Sequence, residues 1–146
     1  LTMNDNNPFS QVSRSANRLY GPRTLLVCGF TAEGQSRIVE LVQSLEIEPL
    51  PIVFMTTPDL EIVLGELFDR QSLDGQGAPS RMPAALIMAG ITEAELHRLM
   101  EGYREAGLPW PLWATLTPTS ETWTLRALLK ELAAERAALA AQSAPE

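Results

Sequence analysis

The chain has 146 residues, with 18 acidic and 11 basic side chains, one Cys, one His and a formal net charge of −7. This length is enough for one domain with its own core, and a single Cys cannot form an internal disulfide, so we expect a cytoplasmic protein. So few Cys and His residues exclude a zinc site built from them. The acidic excess argues against nucleic-acid binding, and no apolar run is long enough to cross a membrane.

Residues 1–23 are predicted to form a flexible N-terminal tail. They are polar and lean basic through Arg14, Arg18 and Arg23, and they lack the apolar stretch of a secretory signal. Because the chain opens with Leu1-Thr2 before Met3, the sequence leaves open whether the native protein begins at Met3 or upstream of it.

Residues 24–146 are predicted to form a single α/β domain made of two internal repeats. A shift of 61 residues aligns the apolar run and Gly-containing turn of residues 25–31 with those of residues 86–92. A repeated strand, turn and helix face indicates two copies of one unit. The repeats span 24–70 and 84–140, and the Gly- and Pro-containing segment 71–83 links them.

Each repeat reads as strand, helix, strand, helix. The first strands, 24–28 and 85–89, are continuous apolar runs typical of strands buried on both faces. A Gly and then a Thr at the helix N-cap follow each of them. The second strands, 52–55 and 112–116, are entered through prolines, which favour sheet edges. The closing helices carry Leu at helical spacing, and the last one continues into an Ala-rich stretch.

Alternating strands and helices predict a three-layer α/β fold with a four-stranded, mostly parallel sheet of order 2-1-3-4. Right-handed crossovers then place two helices on each face, the first and last on one and the second and third on the other. In an alternative arrangement, the two copies pack antiparallel about a pseudo-twofold axis.

The turns after the first and third strands are candidates for binding a small anion or a nucleotide. In a parallel sheet they flank the point where the strand order reverses, which is where ligands bind, and free amides at helix starts attract anions. Neither turn carries a dinucleotide fingerprint or a phosphate loop, so helix capping is the simpler interpretation. The candidate residues are Gly29, Phe30, Thr31, Gly90, Ile91, Thr92, Thr117 and Thr119.

No set of residues predicts a catalytic centre, a metal site or a cofactor site. Cys28 ends the first strand without a neighbouring His or Lys to lower its pKa. His97 falls on the polar side of its helix, and one isolated His does not define a catalytic triad. The sequence therefore favours a protein that is not an enzyme.

Trp110 and Trp123 flank the last strand, and exposed aromatic residues are common in protein interfaces. The long Ala-rich last helix also lacks an evident partner within the chain. The leading hypothesis is a non-catalytic interaction or scaffold domain that self-associates, with a homodimer or an unknown protein as partner. Anion or nucleotide binding at the two turns is the alternative.

Residues 84–136 resemble a bacterial family known as domain of unknown function 3783. The resemblance rests on Leu86-Ile87-Met88-Ala89-Gly90-Ile91-Thr92 and on the more specific stretch Thr117-Pro118-Thr119 followed by Trp123-Thr124-Leu125. It implies a small cytoplasmic bacterial α/β domain and brings no activity, cofactor or catalytic residue with it.

Overall fold

The computed structural model describes residues 17–78 and 80–143. Two short 3₁₀ helices, Thr57–Glu61 and Ser120–Thr122, precede the second and fourth α-helices of this part of the chain. Among the described residues, none of the helices combines the length and apolar composition needed to cross a bilayer. The strands are β1 (Thr24–Cys28), β2 (Ile52–Phe54), β3 (Ala85–Ala89) and β4 (Leu112–Thr115), and the helices are α1 (Ala32–Ser44), α2 (Leu64–Leu67), α3 (Glu93–Glu105) and α4 (Leu125–Ser143).

The strands form one sheet of order β2-β1-β3-β4, which confirms the predicted order. The outer pairs β1/β2 and β3/β4 are parallel, and the central pair β1/β3 is antiparallel. The sheet is therefore mostly parallel, as predicted, with the two halves in the alternative antiparallel arrangement. Every residue of β1 and β3 is buried, as their continuous apolar runs indicate.

The two halves are related by an approximate twofold axis through the central strand pair. Leu26 lies opposite Ile87, which is 61 positions later in the chain. A second symmetric contact links the starts of α2 and α4, where the amide of Leu64 donates to the carbonyl of Trp123 at 2.9 Å and the amide of Leu125 donates to the carbonyl of Ile62 at 3.0 Å. The residues in these two hydrogen bonds also correspond at a spacing of 61, because Leu125 follows Leu64 and Trp123 follows Ile62 by that number of positions.

Each face of the sheet carries two helices, as predicted, but the predicted pairing of helices is wrong. The antiparallel central pair relates the halves by an axis perpendicular to the sheet, and such an axis keeps corresponding helices on the same face. Helices α1 and α3 therefore cover one face, and α2 and α4 cover the other. The first face is packed through Ile38, Val42, Leu99 and Tyr103, and the second through Leu64, Leu67, Leu125, Leu128 and Leu129.

The segment 18–23, which the sequence assigned to the tail, lies against the turn after β3. The amide of Leu19 donates to the carbonyl of Ile91 at 2.7 Å, and the amide of Gly90 donates to the carbonyl of Tyr20 at 3.1 Å. Hydrogen bonds therefore hold the chain to the domain before residue 24. Residues 1–16 of the tail predicted over 1–23 lie outside the described residues.

The residue after the α1 C-cap is conformationally strained. Glu46 has a φ of 56°, whereas Gly107, its counterpart after α3, has a φ of 76°. The left-handed region suits Gly and is unfavourable for other residues. We expect Glu46→Gly to raise the free energy of unfolding by about 0.5–1 kcal/mol, measured by urea titration.

The matched control is Gly107→Glu, which introduces the same strain where a Cβ would meet no atom within 4 Å. This variant should lose stability of similar size. A destabilised Glu46→Gly variant would contradict this interpretation.

Candidate interaction surface at the sheet edge

The two Gly-containing turns lie at opposite ends of the sheet and do not form one site. Because β1 runs antiparallel to β3, Cys28 lies opposite Ala85 and Thr24 lies opposite Ala89. The expected convergence of both turns at a single switch point is therefore wrong. Thr117 and Thr119 follow β4, which is parallel to β3, and they lie at the end that holds Gly90. Anion binding at either turn alone stays a prediction.

At the start of α3, the side chains of the chain itself take the place of an anion. Thr92 Oγ1 accepts a hydrogen bond from the amide of Glu95 at 3.1 Å, and Glu95 Oε1 accepts one from the amide of Thr92 at 3.0 Å. The Glu95 carboxylate also pairs with Arg23 at 2.7 Å, and both side chains are nearly buried. Hydrogen bonding from Arg23 lowers the pKa of Glu95 below its ordinary value, although burial acts in the opposite direction. The Glu95 carboxylate thus supplies the negative charge that the start of α3 favours.

The turn before α1 also has a structural role. Thr31 Oγ1 caps the helix by accepting a hydrogen bond from the amide of Gly34 at 3.1 Å. Gly29 has a φ of 74°, and a Cβ built on it would lie 2.4 Å from the carbonyl oxygen of Met82. The side chains that follow the two glycines, Phe30 and Ile91, pack into the core on the α1 and α3 face.

Cys28 and His97 occupy the environments that the sequence predicted. Cys28 is fully buried, and burial raises the pKa of its thiol well above the ordinary value. His97 is exposed on α3. Within residues 17–78 and 80–143, no His, Cys, Asp and Glu side chains cluster as metal ligands would.

The two candidate interface tryptophans lie in different surroundings. Trp110 is 41% exposed, and its ring centroid lies 5.8 Å from that of Tyr103 and 5.2 Å from that of Trp113. Trp123 is half-buried against the core on the α2 and α4 face, and its carbonyl is used by Leu64. The structure therefore does not bring the two tryptophans together, and Trp110 is the more exposed of them.

The β2 edge of the sheet is closed by the linker. Ile52 and Phe54 direct their backbone groups away from β1. The amide of Ile52 donates to Ser72 Oγ at 3.1 Å, and its carbonyl accepts a hydrogen bond from the amide of Leu73. The amide of Phe54 donates to the carbonyl of Asp74 at 2.9 Å. Residues 72–74 thus take the place of a neighbouring strand.

At the β4 edge, in contrast, no segment of residues 17–78 or 80–143 takes the place of a neighbouring strand. The amides of Leu112 and Leu116 donate to the carbonyls of Ala84 and Met88 across the β3 ladder, so the alternate residues Trp113 and Thr115 direct their backbone groups outward. No described residue donates to or accepts from these outward N–H and C=O groups. Trp113 and Thr115 are the counterparts of Ile52 and Phe54, and sequence reasoning did not identify this unpaired edge.

Helix α4 flanks this edge and leaves apolar side chains uncovered. Leu139 is 64% exposed, and a groove of about 280 Å³ runs between α4 and the start of β4. Arg136 holds the helix beside the strand by donating to the carbonyls of Trp110 and Pro111. The β4 edge surface is defined here as the outward backbone of Trp113 and Thr115 together with the side chains of Trp110, Leu132 and Leu139.

Comparison of the chain with curated proteins and with solved structures found no match. The resemblance of the second half of the chain to a family of unknown function is confirmed. Residues 84–139, which run from the start of β3 into α4, match the model of the family described as Domain of unknown function (DUF3783).

Proposed function

We propose that this chain is a non-catalytic interaction domain that self-associates by pairing β4 with β4 of a second copy. The observation that carries the proposal is the difference between the two sheet edges. Residues 72–74 hydrogen-bond to both outward groups of Ile52 and to the amide of Phe54, whereas the outward groups of Trp113 and Thr115 have no partner among the described residues.

Strand addition suits the chemistry of this edge. An exposed strand edge is a template for another strand, and proteins that avoid such pairing place charges, prolines or bulges on it. The β4 sequence, Leu-Trp-Ala-Thr, carries none of these within the strand. Main-chain hydrogen bonds would supply affinity, and the ring of Trp110 beside the edge would add apolar contact of the kind that anchors interfaces.

A twofold pairing uses each outward group once. If the axis passes midway between the two copies of Ala114, Trp113 of one copy faces Thr115 of the other, and the reverse pair completes four backbone hydrogen bonds. Such an axis is perpendicular to the sheet, so it would place both copies of α4 on the same face. The exposed Leu139 of one copy would then lie on the same face of the joined sheet as α4 of the second copy.

The proposal treats residues 24–146 as one cytoplasmic domain of two repeats, 24–70 and 84–140. The spacing of 61 supports the repeats, because it relates β1 to β3 and α1 to α3 residue by residue. Buried Cys28, the single cysteine, is compatible with a reducing compartment.

Sedimentation velocity from low to high micromolar concentration tests the proposal. We expect the wild-type chain to form a dimer as its concentration rises. Thr115→Pro removes one outward N–H and leaves the ladder to β3 intact, so this variant should dissociate at least about tenfold more readily.

The matched control is Thr115→Val, which retains the N–H and should dimerise like the wild type. Thermal unfolding of each variant verifies the fold. A wild-type chain that stays monomeric throughout, or a folded Thr115→Pro variant that dimerises unchanged, would contradict the proposal.

A further inference from the structure

A second surface feature, remote in sequence from β4, is a pocket of about 360 Å³ between α1 and β2. Small-molecule sites have this size, and they are mostly apolar with a few polar groups that fix orientation. The α1–β2 pocket has this size, and its lining is divided about evenly between apolar and polar atoms. Its walls include Val39, Val42, Pro49 and Ile52, with Gln43 and Ser72 among the polar groups.

The second half of the molecule contains aromatic rings at the corresponding positions. The residues 61 positions after Val42, Pro49 and Ile52 are Tyr103, Trp110 and Trp113. Their ring centroids lie between 5.2 and 5.8 Å apart, which is the separation of packed aromatic pairs. Where the second half holds three rings, the first half holds smaller aliphatic side chains and a cavity.

The polar groups of the pocket favour a neutral ligand. Gln43 stands where the second half has Arg104, whose guanidinium carbon lies 5.1 Å from the Trp110 ring centroid, so an amide replaces a cation at this position. Ser72 Oγ accepts a hydrogen bond from the amide of Ile52, which leaves its hydroxyl proton available as a donor. Glu48, also on the rim, is already paired with Arg18.

One residue on the rim of the pocket has an unusual backbone conformation. Leu73 lies on the rim with a φ of 71°, and the residue is 48% exposed. Leucine rarely adopts left-handed backbone geometry, and such strain persists only where surrounding contacts impose it. Here the hydrogen bond from the amide of Leu73 to the carbonyl of Ile52 contributes to that restraint.

We propose that the α1–β2 pocket binds a small neutral aromatic compound, with a ring of phenol or indole size. The ring occupies the volume that aromatic side chains fill in the second half, and Gln43 and Ser72 hydrogen-bond to its polar atom. This binding is independent of self-association through β4.

Methyl NMR titration of the full chain with indole, phenol and cyclohexanol tests the proposal. Phenol and cyclohexanol are similar in size and differ in aromaticity. We expect indole and phenol to shift the methyl resonances of Val39, Val42, Ile52 and Leu73 to saturation, with at least about tenfold tighter binding of phenol than of cyclohexanol. Absence of saturable shifts, or equal binding of phenol and cyclohexanol, would overturn the proposal.

Two variants locate the site. Val42→Phe places a ring inside the pocket, as Tyr103 does in the second half, and should abolish indole binding while leaving the sedimentation behaviour unchanged. Gln43→Ala changes an exposed position, so it keeps the fold and should weaken phenol binding several-fold. If indole bound both variants like the wild-type chain, the pocket would not be its site.

Discussion

Gly90→Ala should lower the free energy of unfolding by about 3–4 kcal/mol, because it combines backbone strain with overpacking. Gly90 has a φ of 69°, and a Cβ built there would lie 2.5 Å from the backbone nitrogen of Arg23 and 2.6 Å from the carbonyl oxygen of Gly21. Neither atom belongs to a flexible side chain, so the segment 18–23 would have to move away from the turn. Urea-induced unfolding measures the loss.

Gly77→Ala is the matched control for this effect. Gly77 has a φ of 88° and would present its Cβ to open space. The variant therefore carries the conformational strain without the backbone overlap, and we expect a loss of only about 1 kcal/mol. If the two variants lost equal stability, the close approach of residues 18–23 to the β3 turn would be disproved.

Arg23→Gln should lower stability near neutral pH by about 3 kcal/mol, the magnitude expected when one partner of a nearly buried ion pair is removed. Arg23 pairs with Glu95 through its two terminal nitrogens, Nη1 and Nη2, and also donates to the carbonyls of Glu48 and Pro49. The substitution leaves the Glu95 carboxylate desolvated and without its cation.

The Arg23 effect should also depend on pH. The folded-state pKa of Glu95 is lowered by Arg23, so the stabilisation is fully present above the unfolded-state pKa of about 4.3. It is lost as the pH falls through the lower folded-state value. We expect the stability difference between wild type and Arg23→Gln to be constant from pH 7 to about 5 and to shrink in more acidic solution.

The control for solvent exposure is Arg126→Gln. Arg126 pairs with Glu61, and these side chains are 60% and 65% exposed. An exposed pair contributes about 0–0.5 kcal/mol, so this variant should unfold almost like the wild type. A similar loss in both arginine variants, or a difference at Arg23 that persists unchanged below pH 3, would contradict the role assigned to the Arg23–Glu95 pair.

Local sequence patterns predicted the elements and the strand order, but not the relative direction of the two halves. Apolar runs, Thr caps and prolines at the entry to β2 and β4 are local features, and each marks an element or an edge. The direction of β3 relative to β1 depends on contacts between distant segments, such as the reciprocal hydrogen bonds of Leu64 and Leu125. The linker 71–83 is long enough to permit either direction, so the helix pairing and the meeting of the two turns were both predicted wrongly.

The candidate surface was only partly predictable for a similar reason. Trp110 stood out because a large apolar residue flanks a strand, and it is exposed. The open edge itself depends on where the linker folds. Residues 72–74 pair with β2, and no periodicity or motif distinguishes a linker that covers one edge from a linker that covers neither. Only the three-dimensional register shows that Ile52 and Phe54 are paired while the outward groups of Trp113 and Thr115 lack a partner in the part of the chain that the structure describes.

Amide hydrogen exchange at the two sheet edges tests the central claim most directly. The account predicts that the amides of Trp113 and Thr115 exchange rapidly in dilute solution and become protected as the protein concentration rises, because β4 of a second copy accepts their hydrogen bonds. The amides of Ile52 and Phe54 should be protected at every concentration. Exchange at Trp113 and Thr115 that stays rapid up to high micromolar protein would contradict self-association through the β4 edge.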